Sequence, residues 1–153
     1  MNPCTVVVTC FHLGLFINSH ATDWPTFAHD NQRTSVTDES LVPPLNLQWI
    51  YEAPARPAAG WSLPVNGYGA RKNKSNVSFD DSHPAIIVGD TVYFSSSAEN
   101  RVYAIDAGTG TIRWTFFTGA APRLAPTYWN GNLYFGADDG RAYCLNARTG
   151  EAV

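Results

Sequence analysis

The sequence predicts an all-β chain assembled from repeated four-stranded antiparallel sheets, and three observations carry that prediction. The first is an internal repeat. Tyr93-Phe94 returns as Tyr134-Phe135 forty-one positions later, and Arg101, Tyr103, Ala107, Thr109 and Gly110 return as Arg141, Tyr143, Ala147, Thr149 and Gly150 at a spacing of forty. The one-residue slip falls in the turn around Asn100, where an insertion costs least. The second is the grammar of the repeat: short strands, tight turns and, in the first copy, a closing Trp114. A period near forty built of strands marks propeller blades. The third is composition, with 13% aromatics, 12 Gly and 10 Pro, which favours strands and turns over a helical bundle. The expected architecture is a partial β-propeller of four-stranded antiparallel blades.

Residues 1–21 read as a signal peptide. An apolar run from Val6 to Ile17 is too short for a bilayer span, which needs roughly 20 residues. Ser19-His20-Ala21 places small residues where a signal peptidase cuts. A buried strand is the alternative, since no Lys or Arg precedes the run.

Residues 22–56 form an N-terminal lead-in and a partial blade. Leu45 to Tyr51 alternates apolar and polar residues and is bounded by Pro43-Pro44 and Pro54, as a half-buried strand would be. Its Trp49 resembles Trp114. Residues 57–82 are an irregular insertion with Trp61 and Tyr68 to pack with, a basic run at Arg71-Lys72-Asn73-Lys74 and a glycosylation sequon at Asn76-Val77-Ser78. The basic run reads as a solvated loop tip before it reads as an anion site.

Residues 83–153 hold one complete and one incomplete blade. The first copy runs Ala85–Val88, a Gly89-Asp90 turn, Thr91–Ser95, Arg101–Ile105, an Asp106–Gly110 turn and Thr111–Phe117. Asp106 can bond amides ahead of it, and Gly108 or Gly110 can take a positive φ. The second copy uses Asn130-Gly131 as its hairpin, then Asp138-Asp139-Gly140 and Asn146 to Gly150. The position matching Trp114 would be the one after Val153, so the chain reads as a fragment or truncated polypeptide. So few blades cannot close a ring of four to eight, and neighbouring blades are the first partners expected.

The formal charge of −3 gives no electrostatic reason to expect nucleic acid. Of the three cysteines, Cys4 and Cys10 lie in the leader and Cys144 replaces Ala104 in a strand, where a buried structural thiol is expected.

Two segments, VYAIDAGTGTIRW and AYCLNARTGEAV, carry a family likeness. The chain resembles the PQQ-like, quinoprotein-type β-propeller repeat proteins of bacterial exported type, and DWPTFAHDNQRTSV with LQWIYEAP is similar to their N-terminal region. The resemblance implies that the closing Trp of one blade packs against a turn of its neighbour, which assigns Trp114 and Trp49 to the inter-blade core. Tyr93, Tyr134, Tyr103 and Tyr143 recur at equivalent positions, as scaffold residues do.

The resemblance allows two functions. A non-catalytic module for protein binding or scaffolding in the cell envelope is favoured, because catalytic members pair Ca²⁺ with the quinone PQQ and often carry adjacent cysteines, which are missing here. The alternative is a fragment of a PQQ- and calcium-dependent dehydrogenase acting on alcohols or sugars. A fusion to another enzyme domain is a third possibility that these residues do not test. Asp80, Asp81, Asp138 and Asp139 are the candidate calcium carboxylates under the alternative, but each adjacent pair reads first as solvated turn residues. His29-Asp30 with Arg33, and His83, read as structural for want of partner motifs. No residue is assigned a catalytic, cofactor-binding or metal-binding role.

Overall fold

The structure, a computed structural model, describes residues 22–41, 43–58 and 82–153. The leader (1–21), the basic run, the sequon, Asp80-Asp81 and most of the insertion lie outside the described residues. Among the described residues no helix is long and apolar enough to cross a membrane.

Seven strands form two antiparallel sheets. Blade 1 contains β1 (Ala85–Val88), β2 (Thr91–Ser96), β3 (Arg101–Asp106) and β4 (Ile112–Phe117), paired in chain order. Blade 2 contains β5 (Thr127–Trp129), β6 (Asn132–Gly136) and β7 (Ala142–Asn146), also in chain order. The two-residue turns lie where the sequence puts them. Val88 pairs Thr91 across Gly89-Asp90, and Trp129 pairs Asn132 across Asn130-Gly131. A fourth strand of blade 2 has only begun, in the bridge between Leu145 and Ala152.

Strand alternation sends successive side chains to opposite faces, so each blade offers two apolar surfaces. Ile86, Tyr93 and Ala104 of blade 1 face blade 2 and share a core with Leu133 and Ala147. Val102 joins Phe135 and Leu145 in a second cluster at the same junction. On the other face of blade 1, Phe94, Tyr103 and Ile105 pack against Trp49 and Tyr51.

The expected strand at Leu45 to Tyr51 is not one. No residue there pairs with a described strand, and Leu45, Leu47 and Ile50 are exposed. The alternation is real, but a strand needs a hydrogen-bonding neighbour, and none of the described residues provides it. Trp49 and Tyr51 instead anchor an unpaired segment to blade 1.

The inner edge of both blades is covered by residues 23–26. Trp24 exchanges backbone hydrogen bonds with Ile87 at 2.7 and 3.1 Å, and the Tyr128 amide donates to the Pro25 carbonyl at 2.8 Å. Asp23 accepts from the Gly89 amide at 2.6 Å, and the Thr26 and Thr127 hydroxyls meet at 3.0 Å. This segment therefore ties β1 to β5 and satisfies edge groups that would otherwise invite a foreign strand.

Candidate functional site: the junction between blades

The side chains shared by both copies sit at the joints on the two faces of blade 1, beginning with the five-residue turn after the third strand. Asp106 Oδ1 accepts from the amides of Gly108 at 3.1 Å and Thr109 at 2.8 Å. Asn146 Oδ1 does the same for Arg148 at 3.0 Å and Thr149 at 3.1 Å. Each turn ends in a glycine with positive φ, +72° at Gly110 and +74° at Gly150.

Those glycines make room for a tryptophan. A Cβ on Gly110 would stand 2.7 Å from the Trp49 ring, and one on Gly150 would stand 2.6 Å from the Trp114 ring. Each indole also donates through Nε1 to a turn carbonyl, Trp49 to Ala107 at 2.8 Å and Trp114 to Ala147 at 3.0 Å. The turn of one blade is thus a socket for the tryptophan that precedes it. Trp49 lies 58 positions before its acceptor and Trp114 only 33 before its own. The docking contact is the same despite the 25 extra positions.

Beside each socket runs a stacked pair. Phe94 and Tyr103 stack at 4.8 Å in blade 1, and Phe135 and Tyr143 stack at 5.3 Å in blade 2. The tyrosine hydroxyl donates to a carboxylate four residues earlier, Tyr103 to Glu99 at 2.9 Å and Tyr143 to Asp139. Burial pushes the Tyr103 phenol up, and the Tyr143 hydrogen bond holds the Asp139 carboxyl below the usual range. Tyr93 adds a bond across the junction, donating to the Ala147 carbonyl at 3.2 Å.

One cluster belongs to blade 1 alone. The β3–β4 register passes from Ala104–Trp114 to Ile105–Ile112, leaving Arg113 unpaired in a bulge. A bulge re-aims its side chain. The Arg113 guanidinium reaches Asp90 at 2.7 and 2.9 Å, Asp106 at 2.6 Å and the Thr91 hydroxyl at 2.7 Å. Hydrogen bonds from Arg113, then Thr109, hold the Asp106 carboxyl down at about 2. Arg113 also lowers Asp90. Sequence reading missed this clamp. It also missed the Glu99–Asp139 correspondence, whose signal was the same forty-residue spacing that exposed the repeat.

Above the clamp, a cleft of about 500 Å³ opens between the blades. A second cavity of about 480 Å³ lies by the lead-in, lined by His29 and the Thr22, Thr34 and Thr37 side chains among others.

The other sequence candidates are dispersed. His29 packs against Trp24 at 4.7 Å, Asp30 accepts from Thr34, and Arg33 lies over Phe27 at 5.6 Å. His29 Nδ1 lies 3.8 Å from Asp30 Oδ2 and the Arg33 amide donates to the Asp30 carbonyl at 3.0 Å, while the Arg33 guanidinium turns away to Phe27. His83 packs on Phe94 at 5.6 Å, with Nδ1 3.3 Å from the Ser95 carbonyl oxygen. Asp138 holds Arg123, and Asp139 holds Tyr143. Cys144 is half-buried where full burial was expected. Its counterpart Ala104 is paired to full strands on both sides, at Tyr93 and Trp114, whereas Cys144 pairs with Tyr134 and on its other side accepts a single backbone hydrogen bond from Val153 at 3.0 Å.

Calcium with a quinone would need several oxygen ligands around one point. Among the described residues no three His, Cys, Asp or Glu side chains gather closely enough to hold a metal ion. The two described carboxylate candidates are engaged with Arg123 and Tyr143. The described donor set does not fit that pair, and no reaction step is routed through it.

The family described as outer membrane protein assembly factor BamB matches residues 47–153. The chain is also 27% identical over 151 residues to the dehydrogenase subunit of a quinone alcohol dehydrogenase from Gluconobacter oxydans, covering 88% of this chain and 17% of that protein. It is 26% identical over 159 residues to the quinohemoprotein alcohol dehydrogenase of Comamonas testosteroni, covering 92% of this chain and 19% of the other. The crystal structure of the Comamonas protein superposes with a TM-score of 0.63 at 24% identity, over 86% of this chain and 18% of that one. This chain therefore spans less than a fifth of the length of these relatives. With two in-register blades and a match across most of its length, the chain belongs to the PQQ-like β-propeller repeat family described as outer membrane protein assembly factor BamB.

Proposed function

We propose that this chain serves as a non-catalytic propeller module for protein binding or scaffolding in the cell envelope. One observation carries the reading: the tryptophans that recur ahead of each turn dock one unit of the chain onto the next, and the recurring stacked tyrosines are tied to carboxylates of their own blade. Trp49 and Trp114 fill the sockets, and Tyr103 and Tyr143 bond acidic neighbours. A residue type needed in every repeat serves assembly, whereas chemistry needs a reacting group once. In this reading residues 1–21 direct export, 22–56 lead into the blades, 57–82 are an insertion, and 83–153 present the blades to further blades and to a protein partner. Membership of a family described as an outer membrane protein assembly factor supports the envelope setting.

The second reading is a PQQ- and calcium-dependent dehydrogenase acting on alcohols or sugars, of which this chain would be a part. The names of the relatives favour it. The two are separated by supplying PQQ and Ca²⁺ to the full-length protein that carries this chain, with an artificial electron acceptor and a panel of alcohols and sugars. The scaffold reading expects no dye reduction above that of PQQ and Ca²⁺ alone. Substrate-dependent reduction would replace it with the dehydrogenase reading.

A further inference from the structure

Neither reading assigns a role to the cleft between the blades. It lies at the end of the junction that carries the β1–β2 and β5–β6 turns, and its volume of about 500 Å³ is within the range of small-molecule sites. Its apolar wall includes Tyr93, Trp114 and Tyr128. Tyr93 and Trp114 direct their polar atoms into the Ala147 carbonyl, and with Tyr93 only 5% exposed the ring surface open to the cleft belongs to the half-buried Trp114 and Tyr128.

The polar rim is close to neutral. Arg113 is already matched by Asp90 and Asp106, which removes it as an anion site. Among the lining residues Asp23 and Asp90 balance Arg113 and Arg148, with Asp106 behind Arg113 adding one negative charge. Arg148 is exposed, and its guanidinium has no partner among the described residues. Asp23 uses one oxygen on the Gly89 amide, and the Asp90 carboxylate, with 79% of its side chain exposed, keeps acceptor capacity. The Tyr128 hydroxyl makes no hydrogen bond among the described residues. A rim with both donors and acceptors but little net field gives no advantage to a simple anion or cation. It suits groups that donate and accept at once, which are hydroxyls.

We infer that the inter-blade cleft binds a neutral, hydroxyl-rich ligand, a sugar ring of a glycan, with its C–H face on the aromatic wall and its hydroxyls on Asp23, Asp90, Tyr128 and Arg148. The inference concerns holding a ligand, and it stands whether the ring is a scaffold or a dehydrogenase.

The test is titration calorimetry of the full chain with glucose, galactose, N-acetylglucosamine and cellobiose, and with glycylglycine as a zwitterion. At least one sugar is expected to bind saturably, with a Kd of order 1 mM. Arg148→Ala, an exposed change, and Tyr128→Leu are each expected to weaken that binding about tenfold or more. Arg141→Ala, at the opposite end of blade 2, should leave it unchanged. The inference is overturned if none of the four sugars binds, if glycylglycine binds in their place, or if binding persists undiminished in Arg148→Ala.

Discussion

Tyr93 in blade 1 and Tyr134 in blade 2 hold the same place in the repeat, yet the first is 5% exposed and the second 38%. The same contrast runs along the strands. In β2 and β3 almost every residue is buried, because blade 1 is covered on one face by blade 2 and on the other by Trp49 and Tyr51. In β6 burial alternates, Leu133 and Phe135 inside and Tyr134 open, because the described residues cover only one face. What differs is the neighbour, not the local sequence. A blade in this chain is therefore a two-faced unit whose burial is completed from outside, and the Trp-in-turn socket is the joint by which that happens.

The largest expected effect follows from where each tryptophan sits. Trp114 packs against two buried clusters and Trp49 against one. Trp114→Ala should lower unfolding stability by about 3–5 kcal/mol, and Trp49→Ala by about 2–3 kcal/mol, measured by urea denaturation. A larger loss from Trp49 than from Trp114 would break the comparison, since the unpaired segment would then matter more than the blade junction.

Next come the sockets. Gly150→Ala and Gly110→Ala should each cost about 2–4 kcal/mol, combining overpacking against an indole with a left-handed backbone that alanine resists. If the loss at Gly150 persists in full when Trp114 is already alanine, backbone conformation rather than the socket explains it.

A smaller effect separates the two tyrosines of blade 2. Tyr143→Phe should cost about 1 kcal/mol, because its hydroxyl bonds Asp139. Tyr134→Phe should stay within about 0.5 kcal/mol. Equal values would show that the hydroxyl contact contributes nothing.

The smallest effect compares the two turns. Asp106 and Asn146 accept the same pair of amides, so the turn itself does not need a charge. The carboxylate is needed only for Arg113, and the matching position in blade 2 is Val153. With its carboxyl at about 2 in the folded chain against an ordinary 3.8, Asp106 contributes stability above pH 4 that fades as pH falls towards 2. Asp106→Asn should therefore flatten the acid limb of the stability profile between pH 4 and 2. An unchanged acid limb would remove the clamp from the account.

The strands and turns were readable because period-two alternation and Asx-Gly turn chemistry are local. Ala85–Val88, Gly89-Asp90 and Asn130-Gly131 need no distant partner to be recognised. The Arg113 clamp was not readable, because its carboxylates lie 23 and 7 positions away and meet only through a bulge. Leu45 to Tyr51 shows the converse limit. Alternation tells which side chains would share a face, but it does not tell whether a neighbouring strand is there. Cys144 repeats that lesson, being half-buried where a fourth strand would have covered it.

The central claim, that Trp49 and Trp114 are each hydrogen-bonded into the following turn, is tested most directly by hydrogen exchange of the indole N–H groups followed by NMR. The account predicts strong protection for Trp49 and Trp114 and near-solvent exchange for Trp129, which is 67% exposed. Exchange of Trp49 and Trp114 as fast as that of Trp129 would contradict it.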